Sequence, residues 1–267
     1  MKLYHFVSIL LTSCFASQAF GQVAAPRVGA VRYSDGSVWG LFGVSRNFVL
    51  NGQLAASTDA ASFSDSGGLI SIQGRIRLVG PKGALVDEYD SGEAHPVLSV
   101  TGDLTTAIAW LPTRNQFVRW NGRALVVTEP DTAALRGNVG SIDAVDAHHA
   151  RAFIQATDQT VSVALISTDT GAILSNHALS YAHGPAIQQQ SFVICVNDGQ
   201  LEERTATRIL HSLPFNHSGI AFERAGSDWI HITTSDSNDS WMLHITGSAF
   251  DLSQIPSTPQ LSAGAAK

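Results

Sequence analysis

Apolar residues along this chain come in short runs, each cut off by a polar turn after a few positions. The stretch from Ile142 to Leu174 shows the pattern most clearly: IDAV, RAFIQAT, VSVALIS and AIL are separated by DAHHA, DQ and TDTG. Runs rich in Val, Ile and Phe, bounded by Asp, Gly and Thr, predict an antiparallel meander of four strands. The layout recurs. GLISI, TAIAW, RAFIQ, SFVIC and WIHIT, centred on Ile70, Ile108, Phe153, Val193 and Ile232, follow one another at roughly 38 to 45 residues. No stretch of about ten residues carries an uninterrupted helical stripe, so almost no helix is expected.

The flanks of these markers complete the unit. ASFSDSGG, LSVTGDLT, IDAVDAHHA and IAFERAGSD supply a first strand and turn in every unit but the fourth. RIRLV, QFVRW, TVSVALI, a weaker QLEERTAT and WMLHI supply third strands; ALVDEY, ALVVTE, AILSNHAL, RILHSL and AFDLSQI supply fourth strands. Four strands in a period of ~40–45 residues is the signature of propeller blades. Arg27 to Gly43 adds a strand pair one period before Ile70, read as lacking the first two strands of its unit. It is placed to close the ring against the C-terminal unit, because an open propeller leaves sheet edges exposed. The expected fold is all-β, a β-propeller of five or six four-stranded antiparallel blades. It occupies one domain over 27–255, with a loose tail over 256–267.

In the central unit, ARAFIQATDQTVSVALISTDTGAI resembles the YVTN-type, WD-repeat-like blade of exported bacterial β-propellers. Thr160, Val161, Ser162, Val163, Thr168, Thr170 and Gly171 carry the match; ALIS at Ala164 to Ser167 stands where that family has an Ile-Asp pair. YSDGSVWGLFGVSRNFVLNGQL is also similar to the opening of uncharacterised exported propellers. The resemblance implies a fold and an extracytoplasmic address, periplasmic or secreted. It carries over no catalytic residue, since propellers host unrelated functions.

The start of the chain agrees with that address. Lys2, the apolar Leu3 to Leu11, and the small-residue sites Ser17-Gln18-Ala19 and Ala19-Phe20-Gly21 read as a signal peptide over 1–21. Two alternatives stay open: a buried first strand, and a lipoprotein acylated at Cys14 in Leu11-Thr12-Ser13-Cys14. The apolar run is too short to span a membrane, and no later segment is apolar enough. With 44% apolar and 14% charged residues the chain has ample material for a core, and its net charge of −6 argues against nucleic acid or anionic membrane as partner. Removal of a leader would take Cys14 with it and leave Cys195 in FVICV without a disulfide partner, as a small core residue.

Candidate chemistry is sparse. Ser64-Asp65-Ser66-Gly67-Gly68 resembles the nucleophile motif of trypsin-like proteases, but the only upstream histidine before Ser66 is His5, inside the expected leader. SDSGG reads better as a hairpin turn. His148-His149 side by side in a turn should diverge, and His95, His183 and His217 lie in loops without a ligand pattern, so no metal site is assigned. Asp236-Ser237-Asn238-Asp239 lacks the glycine and terminal Glu of a calcium loop and reads as a turn. Glu202-Glu203 beside Arg204 reads as a solvated face, and Trp39, Trp110, Trp120, Trp229 and Trp241 as core or blade-face residues. Centring the last hairpin between Ser237 and Asn238 sets His231 opposite His244, two imidazoles that would repel on protonation.

The function expected is therefore a binding scaffold for a protein, small-molecule or glycan ligand, with no catalytic, cofactor-binding or metal residues assigned. The alternative is a lyase or hydrolase at the mouth of the central channel. Asp143, Asp146 and Glu223 are its inner-strand candidates, and the discriminating feature is whether carboxylates and histidines of different blades meet there.

Overall fold

The computed structural model describes residues 25–131, 135, 138–189, 191–237, 239–247 and 249–257. Every regular element in them is a strand. The first sheet is β1 (Arg27–Arg32), β2 (Val38–Val44) and β3 (Asn47–Ala55). The next two blades are β4 (Ala60–Ser64), β5 (Gly67–Ile72), β6 (Arg75–Val79), β7 (Leu85–Asp90) and β8 (Val97–Val100), β9 (Ala107–Leu111), β10 (Gln116–Trp120), β11 (Leu125–Thr128). The fourth is β12 (Asn138–Ala144), β13 (His149–Gln155), β14 (Thr160–Ser167), β15 (Ile173–His183). The last two are β16 (Ala186–Gln189), β17 (Phe192–Asn197), β18 (Gln200–Arg204), β19 (Ile209–Pro214) and β20 (Ala221–Arg224), β21 (Trp229–Thr233), β22 (Ser240–Thr246), β23 (Ala249–Gln254). All neighbours pair antiparallel, giving a six-bladed β-propeller.

Its core is six separate clusters, one at each junction between neighbouring blades, the junction of the first and last included. This explains the continuous apolar runs of the second strands. A strand pressed between two neighbouring sheets is covered on both faces, and β9 (AIAWL) is buried at every position. The outermost strands escape one of these constraints: β7 has no fully buried residue, and Leu85 and Val86 are exposed.

Two strand identities differ from the sequence reading. The N-terminal sheet holds the innermost strand of its blade, β1, with β2 and β3 outside it; what it lacks among the described residues is the outermost strand. The fourth repeat does have a first strand, β16, whose AIQQ is too short and too polar to stand out. The blade around Ile142 thereby becomes the fourth, and that around Ile232 the sixth.

Ring closure rests on close backbone approach. Ala30 N–H donates to Ala225 O at 3.1 Å, across the seam between the first and last blades. A Cβ on Gly29 would lie 1.2 Å from Ala225 O, and one on Gly226 2.3 Å from Val28 O, so both positions require glycine. Val28, Val31, Leu41, Ala225 and Met242 pack along the seam, and Tyr33 Oη donates to Pro256 O at 2.6 Å.

Cys195 is fully buried among Val161, Leu179 and Val193, between the fourth and fifth blades. Burial, helped by the nearby charge of Glu202, pushes its thiol up to about 12. The thiol should therefore stay unmodified by a polar maleimide in native protein and react fully in denaturant; rapid labelling without denaturant would contradict this packing.

The β21–β22 register is shifted from the symmetric turn expected. Thr233 pairs with Ser240, His231 with Met242 and Trp229 with His244, so the two histidines are not opposite each other. The cause lies in the turn. Ser235 N–H donates to Ser218 O at 3.0 Å and Asp236 accepts Ser218 N–H at 2.7 Å, drawing the turn onto the preceding inter-blade loop. His244 instead stacks on Trp229 with ring centroids 4.0 Å apart.

Candidate functional site

The inner strands of a propeller run side by side around its axis, so residues at corresponding ends meet at one mouth of the channel. Here the C-terminal ends of β4, β8, β12 and β20 surround a depression of about 310 Å³, bordered by Ser64, Thr101, Asp143, Arg151, Arg224 and Ser227. Arg224 is its centre. Its Nη2 donates to Asp143 Oδ1 of the fourth blade at 2.7 Å and to Gln188 O of the fifth, and its Nη1 donates to Gln189 Oε1 at 2.7 Å. Gln189 Nε2 in turn donates to Ser227 O of the sixth blade at 2.7 Å. One guanidinium thus ties three blades together, using the fork geometry that arginine supplies and lysine does not.

Asp143 is shared. Its Oδ2 lies 3.4 Å from Nη1 of Arg151, its cross-strand partner on β13. Two cations therefore share one carboxylate at the centre of the mouth, while the Asp65 carboxylate lies beside Gly226 on its rim.

A second group sits where β20 meets β1. Glu223 accepts from Arg32 Nε at 3.2 Å and faces its cross-strand neighbour His231, whose Nδ1 is 3.3 Å away. His231 is 1% exposed, and its Nε2 is buried without a hydrogen-bond partner. Burial pushes the Glu223 carboxyl up, but the hydrogen bonds and charges of His231 and Arg32 outweigh it and hold the group below the usual carboxylate range. A depressed folded pKa means stability that is complete above the unfolded value of ~4.3 and lost as pH falls through the lower folded one. Acid unfolding of Glu223→Gln should consequently show a shallower loss of stability below about pH 4 than wild type. Superimposable acid limbs would mean that the ionised carboxylate contributes nothing to the seam.

Known proteins bear on the fold at this point. No protein-family model matches the sequence, and no curated protein matches it. Among solved structures, the chain is similar to the β-propeller domain of Cps50 (Swd1) from Myceliophteria thermophila. The identity is 13% over 88% of this chain and 87% of that one, at a TM-score of 0.50. It is also similar to a chain of the nidogen/laminin complex, 11% identical over 85% of this chain and 92% of that one, at a TM-score of 0.52. The likeness is one of fold.

Of the inner-strand candidates, Asp143 and Glu223 do stand at the ring centre, each bound to an arginine of another blade. Asp146 does not. β12 ends at Ala144, and Asp146 lies in the exposed turn, capping His148 N–H at 2.7 Å and pairing with His149 Nδ1 at 2.9 Å. His148 turns instead to Asp169, which also pairs with Arg119, so the adjacent imidazoles serve different carboxylates. Among the described residues no group of three or more His, Cys, Asp or Glu side chains is placed to hold a metal ion. Ser66 is at the tip of the β4–β5 hairpin, with Ser64 and Gly67 paired beneath it. Asp236 holds the loop at Ser218 rather than a cation-binding loop.

The Glu202-Glu203 reading is corrected: both carboxylates are buried. Strand alternation sends them to opposite faces of β18, each covered by a neighbouring blade. Glu202 pairs with Arg204 at 2.8 Å and accepts Asn197 Nδ2–H at 2.7 Å, while Glu203 meets His211 at 2.6 Å. Of the central groups, Arg224, Arg151 and Gln189 were missed in the sequence. Arg224 directly after Glu223 in an otherwise apolar inner strand was the available signal.

Proposed function

We propose that this chain is an extracytoplasmic β-propeller, led across the membrane by residues 1–21 and related to YVTN-type propellers, that serves as a non-catalytic binding scaffold. Its partner docks on the face where the inner strands end. The observation carrying the reading is the commitment of the central charges: Asp143 is held by Arg224 and Arg151, Arg224 by three acceptors, and Glu223 by Arg32 and His231. These contacts tie the ends of different blades into a rigid frame, and His231 is screened from solvent.

Site-specific photo-crosslinking tests this. One crosslinker replaces Gly102, which is exposed at the mouth and where a Cβ has 3.9 Å of clearance to Ser227; a second replaces Asp158, exposed in the β13–β14 turn on the opposite face. A discrete adduct from position 102 and none from 158, formed in cells of the native host, is expected. Adducts from 158 only, or turnover of polysaccharide or lactone substrates by the purified chain, would overturn the reading.

A further inference from the structure

The blades are unequal, and the inequality leaves a cleft. β14 and β15 of the fourth blade run for 8 and 11 residues, whereas β16, β17 and β18 of the fifth have 4, 6 and 5. Cross-strand rows Arg151–Leu165–Ser175 and Phe153–Val163–His177 therefore extend beyond the sheet that should cover them. Deeper in the same junction Val161, Leu179, Ala186 and Cys195 close the space. What remains open is about 360 Å³, floored by Phe153, Val163, Leu165, Leu179 and Val193 and rimmed by Ser175, Ser191 and Thr205.

Two arginines border this apolar floor from opposite blades. Arg151, at the inner end, has Asp143 at 3.4 Å as its one acceptor among the described residues, and that carboxylate already receives the shorter bond from Arg224. Among the described residues no other acceptor reaches the Arg151 guanidinium, which leaves most of its five donors open to solvent or a ligand. Arg204, on the blade-five side, lies over the Tyr181 ring at 4.7 Å, and its Nε is buried without a partner. Its charge is balanced by Glu202, so the uncompensated charge of the cleft belongs to Arg151.

We propose that this cleft binds a small carboxylate with an apolar body, the carboxylate on Arg151 and the hydrocarbon or ring against Phe153, Val163 and Leu165. A cleft of this size with an apolar floor and a polar rim, His177 and Gln188 included, suits a small molecule with one charged end and one apolar end, and a guanidinium with spare donors takes a carboxylate bidentately. The site is distinct from the channel mouth except for Arg151, and it does not depend on how a protein partner docks.

Calorimetric titration with butyrate, hexanoate and 3-phenylpropionate, and with 3-phenylpropionamide as the uncharged control, tests the proposal on the purified chain. Affinity should rise along the acid series, and the amide should bind about tenfold more weakly than its acid, the scale of one charge-assisted hydrogen bond. In Arg151→Gln, shown to be folded by its thermal transition, acid and amide should bind alike. Ser175→Trp, on the exposed rim, should block all of them without touching the arginine. Equal binding of acid and amide to wild type, an unchanged acid preference in Arg151→Gln, or no saturable binding by any member of the series would overturn it.

Discussion

Gly29→Ala should destabilise the propeller more than any other single methyl addition, by about 3 kcal/mol, because the new Cβ has nowhere to go. It would stand 1.2 Å from Ala225 O, a backbone atom that also accepts the Ala30 N–H closing the ring. No side-chain rotation relieves such a clash; either β1 or the strand end at Ala225 must retreat, and the seam cluster of Val28, Val31, Leu41 and Met242 opens with it. For a chain of this size the loss corresponds to roughly 6–12 °C in Tm. Equilibrium urea unfolding measures it directly. A variant within about 0.5 kcal/mol of wild type would show that the two end blades are not in backbone contact.

Arg224→Met should come second, at about 2–3 kcal/mol. Removing one partner of a buried ion pair costs ~3–5 kcal/mol, and the side-chain exposures of 13% for Arg224 and 14% for Asp143 reduce that through solvent screening. Methionine keeps the apolar stem but leaves Gln188 O and Gln189 Oε1 without this donor. Asp143→Asn should also destabilise, since it leaves Arg224 and Arg151 facing each other without a carboxylate between them. The double variant Asp143→Asn with Arg224→Met should be less unstable than the sum of the two by about 1 kcal/mol, the coupling of residues in one network. Strict additivity would mean that the contact between the fourth and sixth blades contributes no energy of its own.

The sequence by itself determined the strand count of most blades, the repeat length and the all-β class. These follow from local pattern: GLISI, TAIAW, RAFIQ, SFVIC and WIHIT became β5, β9, β13, β17 and β21 because a strand between two sheets is covered on both faces and tends to read as a short, mainly apolar run. The burial of Cys195 and the turn at Asp65-Ser66 were readable for the same reason.

Tertiary structure alone decided the rest. That β1 is an innermost strand depends on what lies beside it, and VGAVR reads as the same short apolar run wherever it sits in a blade. The β21–β22 register was set from outside the hairpin by Ser218, and Glu202 and Glu203 are buried because neighbouring blades cover both faces of a strand that reads as polar. Arg224 and Asp143 are 81 residues apart in the chain. Their meeting is a consequence of ring closure, which brings the ends of inner strands from different repeats to one axis, and hydrophobic periodicity carries no information about which charges will meet there.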